Sequence, residues 1–355
     1  SNIAEVYSRI GKYEDAKIKY NEILNIYAET INKPSKAIIY NNLGNISFTQ
    51  GNYKEALDNF EKAKELNEKM GKIESKAICI NNIGEVYKNM GDYNNALDKF
   101  KEAYDINKKL DKKESMSINL NNIGSVYDTL GDYKSALDKY KESYNISERL
   151  NLKPLMVKKL INISGVLLIT GDFKNANINI QKALDIVKDL TGDESIKSIC
   201  YNSLGNIYSS YGKKDIALQY YKDALKIAEN LKDKDSIAVY NHNIGSIYNE
   251  TQNFTEAENY FNKAINYAEQ LNKIQYIIEF KNSLATVYDS QGDYNKAKEL
   301  YKEALNEAEK RNMQSNIATC SNNLGYIYEK TKDYDNAIKS YFEAISTASL
   351  IDSVC

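Results

Sequence analysis

The stretch Asn81-Asn82-Ile83-Gly84-Glu85-Val86-Tyr87 decides the fold, because near copies of it recur down the whole chain. Consecutive copies are separated by about 40 residues, as the position of the glycine in each copy shows. The equivalent glycines are Gly44, Gly84, Gly124, Gly205, Gly245 and Gly325. A period of this length is typical of proteins built from short structural units that stack side by side.

Each unit reads as two helices with a turn between them. The first helix carries Asn-Asn-x-Gly-x-x-Tyr, the second carries Tyr-x-x-Ala-x-x-x-Phe/Tyr-x-x-Ala, and Gly-Asp/Asn-Tyr separates the two. We therefore expect an all-α solenoid of antiparallel helix pairs, one array over residues 1–355 with about nine units, the first of them truncated. The approximate units are 1–30, 31–71, 72–111, 112–151, 152–191, 192–232, 233–272, 273–312 and 313–355.

Packing and capping explain most of the repeated residues. Glycine inside a helix costs about 1 kcal/mol relative to alanine, so we expect the helical glycines to allow close approach of the neighbouring helix. Aromatic residues of the second helix should fill the space opposite them. Glycines after the first helix are expected to form left-handed caps, and aspartates are expected to cap the second helix. The expected caps are Gly51, Gly91, Gly131, Gly171, Gly212 and Gly292, and Asp92, Asp132, Asp172 and Asp293.

Composition restricts the class of protein. The chain has 47 basic and 49 acidic residues and a formal net charge of -2. This balance argues against a large basic surface that would bind nucleic acid or an anionic membrane. The apolar run 166–169 is far too short to cross a membrane. Cys79, Cys200 and Cys320 lie in distant repeats, too far apart for a disulfide, so we expect free thiols and a cytoplasmic location.

The repeated residues resemble the tetratricopeptide repeat, which pairs Gly and Tyr on one helix with Ala, an aromatic residue and Ala on the next. The resemblance extends over residues 1–350. The long period and the Asn-Asn-x-Gly phrase are similar to the subgroup that includes kinesin light chains, spindle-orientation adaptors and bacterial peptide-pheromone receptors. The resemblance implies a right-handed superhelix and a peptide or protein segment bound in the concave groove that the first helices line.

The first asparagine of each Asn-Asn pair, three residues before the glycine, is expected to face that groove. We name these positions the ladder residues: Asn41, Asn81, Asn121, Asn202, His242, Asn282 and Asn322. A side-chain amide can bond to the backbone of an extended peptide, with roughly 0.5–1.5 kcal/mol gained per bond. The alternative is that asparagine merely tolerates a solvated helix face. The second asparagine of each pair is expected to bond between neighbouring helices.

One turn further along, the groove should display polar residues, including Asn45 and Asn206. The unit around residues 153–190 differs, because it has Ser164 in place of the repeated glycine and many apolar residues. An apolar floor could form there and hold a hydrophobic side chain of the ligand. Its residues would be Ile161, Leu168, Ile169 and Ile199. The alternative is that this unit has drifted and that these side chains pack internally.

Neither catalytic nor metal-binding chemistry is indicated. His242 is the one histidine and has no partners at helical spacing, so we expect it to contact ligand or water and expect no metal, cofactor or catalytic residue. Lys88 and Lys158 are isolated, which makes a free C-terminus or a phosphopeptide a poor ligand.

Two functions fit the sequence. The first is a non-catalytic module that binds an extended peptide or partner segment. The alternative is the sensor or regulatory region of a larger signalling protein, such as a kinase, an ATPase or a transcription regulator. The first and last residues offer no capping helix, so we expect either a piece of a longer chain or self-association through an end, and binding through the convex side stays open as well.

Overall fold

The computed structural model describes residues 2–26, 32–189, 193–311 and 313–354. These residues contain α-helices and no β-strand. They form two compact units, Ser1–Val166 and Leu167–Cys355, and the division falls inside the ninth helix. The all-α class is therefore confirmed.

The first unit is a series of helix pairs. Its helices are α1 (Asn2–Arg9), α2 (Tyr13–Ile26), α3 (Lys33–Thr49), α4 (Tyr53–Lys69), α5 (Ile73–Met90), α6 (Tyr93–Lys109), α7 (Lys113–Thr129), α8 (Tyr133–Arg149) and most of α9 (Lys153–Ile169). From α1 to α8, each helix packs on the next one, and α5 also touches α7. First helices of successive repeats therefore lie side by side in this unit.

The second unit repeats this arrangement. Its helices are the end of α9, then α10 (Phe173–Lys188), α11 (Glu194–Ser210), α12 (Lys214–Leu231), α13 (Lys234–Glu250), α14 (Phe254–Gln270), α15 (Ile274–Ser290), α16 (Tyr294–Glu309), α17 (Gln314–Lys330) and α18 (Tyr334–Val354). Successive helices from α10 to α18 pack on one another, and α15 touches both α13 and α17. From α3 to α18, the two helices of each pair lie within one of the predicted repeats. That all repeats form one array over residues 1–355 stays a prediction.

The turns and caps agree with the sequence. All six capping glycines have positive φ, from 73° at Gly212 to 83° at Gly91. The four capping aspartates each accept a hydrogen bond from the backbone N–H three residues later, as Asp92 does from Asn95. Both predictions are confirmed. Such caps could be predicted because each one depends only on a single residue and the backbone next to it.

The helical glycines make room for aromatic rings. A Cβ built on Gly84 would lie 2.7 Å from the ring of Phe100, and one built on Gly205 would lie 2.4 Å from the ring of Tyr221. The second-helix alanines are enclosed as well, with Ala96 fully buried beside Phe100. In the six repeats that carry this glycine, an aromatic ring therefore packs against the backbone of the first helix, as the sequence predicted.

Three cysteines lie inside the described structure as free, buried thiols: Cys79, Cys200 and Cys320. Burial raises the thiol pKa to about 11 at Cys79 and to about 12 at Cys200. The fourth, Cys355, lies outside the described residues. In the same part of the chain, no helix combines the length and the apolar character that crossing a membrane requires.

Candidate functional site

The ladder residues occupy the same place on successive first helices, from α3 to α17. Asn41, Asn81, Asn202, His242 and Asn282 are half-buried, Asn121 is buried, and Asn322 is exposed. Each of the two compact units thus carries its own run of polar side chains on its first helices.

Hydrogen bonds between repeats hold the ladder amides in one orientation. In the first unit the Nδ2 atoms of Asn82, Asn122 and Asn162 donate to the Oδ1 atoms of Asn41, Asn81 and Asn121, at 3.2, 3.1 and 2.9 Å. In the second unit Asn243 donates to Asn202 in the same way at 2.7 Å. The sequence-based expectation that the second asparagines bond between neighbouring helices is met at these four positions.

This arrangement determines what the ladder can offer to a ligand. The Oδ1 atoms of Asn41, Asn81, Asn121 and Asn202 are occupied, whereas their Nδ2 groups have no hydrogen-bond partner within the described residues. An amide nitrogen is a donor of two hydrogen bonds. At these four positions the ladder therefore presents amide donors, with its acceptors used inside the protein, whereas the Asn282 Nδ2 group donates to Cys320 Sγ at 3.2 Å.

The tyrosine hydroxyls of the second helices make contacts that the sequence did not predict. The Tyr221 hydroxyl passes beneath Gly205 and donates to Asn206 Oδ1 at 2.7 Å, and the Tyr341 hydroxyl donates to Glu329 at 2.9 Å. Asn45 remains exposed. Tyrosine in place of phenylalanine on the second helix was the available signal, because only tyrosine carries a hydroxyl that can reach the first-helix face.

The four residues of the predicted apolar floor, three from the divergent repeat and Ile199 from the next one, are divided between the two compact units. Ile161 belongs to the first unit and is half-buried, as is Leu168 in the second unit. Ile169 is 61% exposed and Ile199 is 39% exposed. An apolar floor that joins these four side chains stays a prediction.

His242 is packed between aromatic rings. Its ring lies 4.6 Å from that of Phe280, with 21° between the planes, and 5.4 Å from that of Phe261. Its Nε2 atom lies 2.9 Å from Ser283 Oγ. Burial lowers the pKa of the imidazole to about 4, so the ring is neutral at pH 7. No group of three metal-ligating side chains occurs among the residues that the structure describes.

Lys159 on α9 is a charged residue that the sequence-based reading overlooked. Its side chain is only 1% exposed. It lies five residues before Ser164, where other repeats have Ile39, Cys79, Asn119, Cys200, Tyr240, Phe280 or Cys320. Burial, with a smaller effect of Lys158, lowers the pKa of its ammonium group to about 8. A lysine at a position that is uncharged in the other repeats was the signal that could have identified it.

The sequence profile of the tetratricopeptide repeat matches residues 1–69, 76–149, 155–230, 235–310 and 280–349. The chain belongs to the tetratricopeptide repeat family. No curated protein matches the sequence.

Several solved structures share the fold at low identity. BtubC (BKLC) from P. vanneervenii is 21% identical, with a TM-score of 0.55 over 62% of this chain and 92% of that one. The Rap conjugation gene regulator of plasmid pLS20, solved with the Phr* peptide, is 13% identical, with a TM-score of 0.62 over 99% and 95%. A STAND protein with a tetratricopeptide repeat sensor from Pyrococcus horikoshii is 15% identical, with a TM-score of 0.59 over 95% and 54%.

Proposed function

We propose that this protein is a non-catalytic module that binds an extended peptide or protein segment along its first helices. The observation that carries the proposal is the uniform row of ladder amides at Asn41, Asn81 and Asn121, each with a free Nδ2 donor. An extended peptide has carbonyl oxygens at regular intervals, and such a row could bond to them without reading the side chains. The structure of the Rap regulator with a peptide supports the proposal through the shared fold.

A double aspartate substitution tests the ladder without breaking the protein's own bonds. In Asn81→Asp/Asn121→Asp, a carboxylate oxygen still accepts from Asn122 and Asn162, but the Nδ2 donors are gone. Two lost hydrogen bonds at roughly 0.5–1.5 kcal/mol each predict a Kd weakened by about tenfold or more. The measurement is selection of a random peptide library on the natural protein, followed by titration of the enriched peptides against both proteins.

The matched control is Asn259→Asp/Asn262→Asp, which adds the same charge on exposed positions of the second helix α14. This control should bind the enriched peptides as the natural protein does. Peptides that bind the ladder variant and the natural protein equally well, or a library from which nothing enriches, would contradict the proposal.

The alternative function, a sensor region of a larger signalling protein, has one specific observation in its favour. The structural match covers 95% of this chain but only 54% of the STAND protein, in which the tetratricopeptide repeat is a sensor. The coding sequence on either side of this segment is the test. An open reading frame that continues into an effector domain would support the sensor role, and one without such a domain would remove it.

We also propose that copies of this chain associate through the outer faces of α1 and α18. Inside the chain, Leu97 packs with Ile123 and Val126 of the next repeat, all of them buried. The residues in register with these three are Ile338 on α18 and Ile3 and Val6 on α1, and they are 55%, 65% and 55% exposed. The two faces are thus the halves of an interface that the chain already uses, and the contact would join unlike faces of two copies.

Sedimentation at increasing protein concentration tests this association. The average mass should rise with concentration for the natural chain and stay at that of a monomer for Ile338→Glu. Ile178→Glu, at a 52% exposed position of α10, is the control and should associate as the natural chain does. A natural chain that remains monomeric throughout would contradict the proposal.

A cytoplasmic setting also belongs to this proposal. It is supported by the three buried free thiols, since reduced cysteines are typical of a reducing compartment.

A further inference from the structure

A row of isoleucines lies on the exposed face of three successive first helices. Ile38 on α3 is 61% exposed, Ile78 on α5 is 53% exposed and Ile118 on α7 is 37% exposed. Each of them lies three residues before a ladder residue, so the isoleucine and the ladder amide of one helix lie on the same side of it. We name these three side chains the isoleucine row. All of them belong to the first compact unit.

The fold does not require an apolar side chain at this position. The equivalent residues of the other repeats include a lysine, a glutamate and a threonine, all three exposed: Lys158, Ile199, Val239, Glu279 and Thr319. A single exposed isoleucine is ordinary, because much of any protein surface is apolar. Three of them in successive repeats, beside a row of unpaired amide donors, instead indicate a surface that a partner covers.

The spacing of the row restricts the conformation of a ligand that contacts all three side chains. Hydrogen bonds from Asn82 to Asn41 and from Asn122 to Asn81 show that neighbouring first helices lie side by side, and α5 touches α7 directly. The axes of packed helices are roughly 8–10 Å apart, so the isoleucine row has a period of about this length. A β-strand presents side chains to one face every two residues, or about 6.4–6.8 Å, which does not match.

Two other peptide conformations have a period close to that of the row. A polyproline II helix rises about 3.1 Å per residue with three residues per turn, so every third side chain points the same way at intervals of about 9.3 Å. An α-helix repeats after seven residues, or about 10.5 Å, but its carbonyl oxygens are already bonded within the helix. A polyproline II helix has no internal hydrogen bonds, and its carbonyl oxygens are free to accept. The free Nδ2 groups of Asn41, Asn81 and Asn121 therefore favour the polyproline II helix.

We propose that the isoleucine row and the ladder of the first unit bind a proline-rich segment in the polyproline II conformation, with an aliphatic residue at every third position. The inference rests on the proposed peptide-binding function and names the conformation and the residue pattern of its ligand. Each repeat offers one isoleucine and one amide donor, and each turn of such a segment offers one aliphatic side chain and free carbonyl oxygens. Proline suits the intervening positions, because it fixes φ near the polyproline II value and reduces the entropy lost on binding.

Two peptides of identical composition test the pattern. The first consists of three copies of Leu-Pro-Pro, and the second has three leucines followed by six prolines. Both carry a fluorescein label, and the anisotropy during titration with the natural protein gives the Kd. We expect the first peptide to bind about tenfold more tightly or better, because consecutive leucines of a polyproline II helix point in three directions and cannot all reach the row. Equal binding of the two peptides, or no binding of the first, would overturn the inference.

The triple variant Ile38→Thr/Ile78→Thr/Ile118→Thr identifies the surface. Threonine already occupies this position in α17, so the variant should fold, which circular dichroism checks. It should bind the Leu-Pro-Pro peptide about tenfold more weakly or worse, because the apolar contacts are reduced. The matched control changes three exposed isoleucines of second helices, Ile18→Thr/Ile178→Thr/Ile216→Thr, and should bind as the natural protein does. A folded row variant that binds the peptide unchanged would remove the isoleucine row as its site.

The selection from a random library distinguishes this inference from the proposed function. Enriched peptides that require the ladder amides but bind the row variant unchanged would remove the polyproline II ligand and leave the peptide-binding module. Enriched peptides with an aliphatic residue at every third position, dependent on both the row and the ladder, would support both. A library from which nothing enriches, together with no binding of the Leu-Pro-Pro peptide, would remove both.

Discussion

Gly205→Ala is expected to destabilise the protein by about 2 kcal/mol, even though alanine is the better helix former. The added Cβ would lie 2.4 and 2.5 Å from two ring carbons of Tyr221. That ring is 4% exposed and its hydroxyl is tied to Asn206 at 2.7 Å, so it has little freedom to move away. Overpacking costs roughly 1–3 kcal/mol and occasionally more, and contacts as short as 2.4 Å place this case at or above the upper end of that range. A cost of about 3 kcal/mol minus a gain of about 1 kcal/mol in helix propensity leaves the expected net loss.

Gly165→Ala is the matched control. Gly165 also lies inside a helix, but a Cβ there would meet nothing within 4 Å, so only the propensity gain remains. Urea unfolding followed by circular dichroism should show Gly165→Ala slightly more stable than the natural chain and Gly205→Ala clearly less stable.

A double substitution identifies the ring as the cause. In a Tyr221→Ala background the cost of Gly205→Ala should disappear, since the two effects are coupled through one contact. An undiminished cost in that background, or a Gly205→Ala variant as stable as Gly165→Ala, would show that the ring does not set the requirement for glycine.

The parts of the fold that could be predicted from the sequence are those in which one residue acts on its immediate neighbours and is repeated. The left-handed glycine at position 91 and the capping Asp92 act through the adjacent backbone. The packing of Phe100 against Gly84 could be anticipated as well, because both residues recur at fixed spacing. Glycine destabilises a helix relative to alanine, so its repetition inside a helix indicates a packing role.

The candidate site was predicted in outline only. The sequence identified the ladder positions, but the orientation of the amide at Asn81 depends on donors from Asn119 and Asn122, in the next repeat. Contacts across a step of 38 or 41 residues become visible once the helices are stacked. The sequence pattern therefore indicated which residues occupy the ladder positions but not which of their atoms remain free.

Lys159 was overlooked for a related reason. A repeat pattern draws attention to the residues that all units share. Lys159 occurs at its position in one repeat only, and from the sequence it resembles the many lysines that lie on the surface. Its burial depends on the helices packed around α9, which the local sequence does not specify. Departures from the consensus at interior positions are accordingly where specificity should be sought in such a chain.

His242 is a second departure of this kind, and it predicts a dependence of stability on pH. The pKa of its imidazole falls from 6.5 to about 4 in the folded protein, chiefly because burial against Phe280 and Phe261 excludes water from the charged form. Its neighbours Ser283 and Asn243 are uncharged and offer no anion to compensate a proton. The unfolded chain therefore binds a proton more readily than the folded one as the pH falls below 6.5.

The neutral ring thus contributes stability that is fully present above pH 6.5 and is lost as the pH falls towards 4. A pKa difference of this size corresponds to about 3 kcal/mol. His242→Asn is the matched variant, because asparagine occupies the equivalent position in six other repeats and does not titrate, while all carboxylates are unchanged. Urea unfolding of both proteins from pH 7 to pH 4 should show the natural chain losing about 3 kcal/mol relative to the variant. Parallel pH profiles would mean that His242 is protonated in the folded protein as easily as in water, which would contradict its enclosure between the two rings.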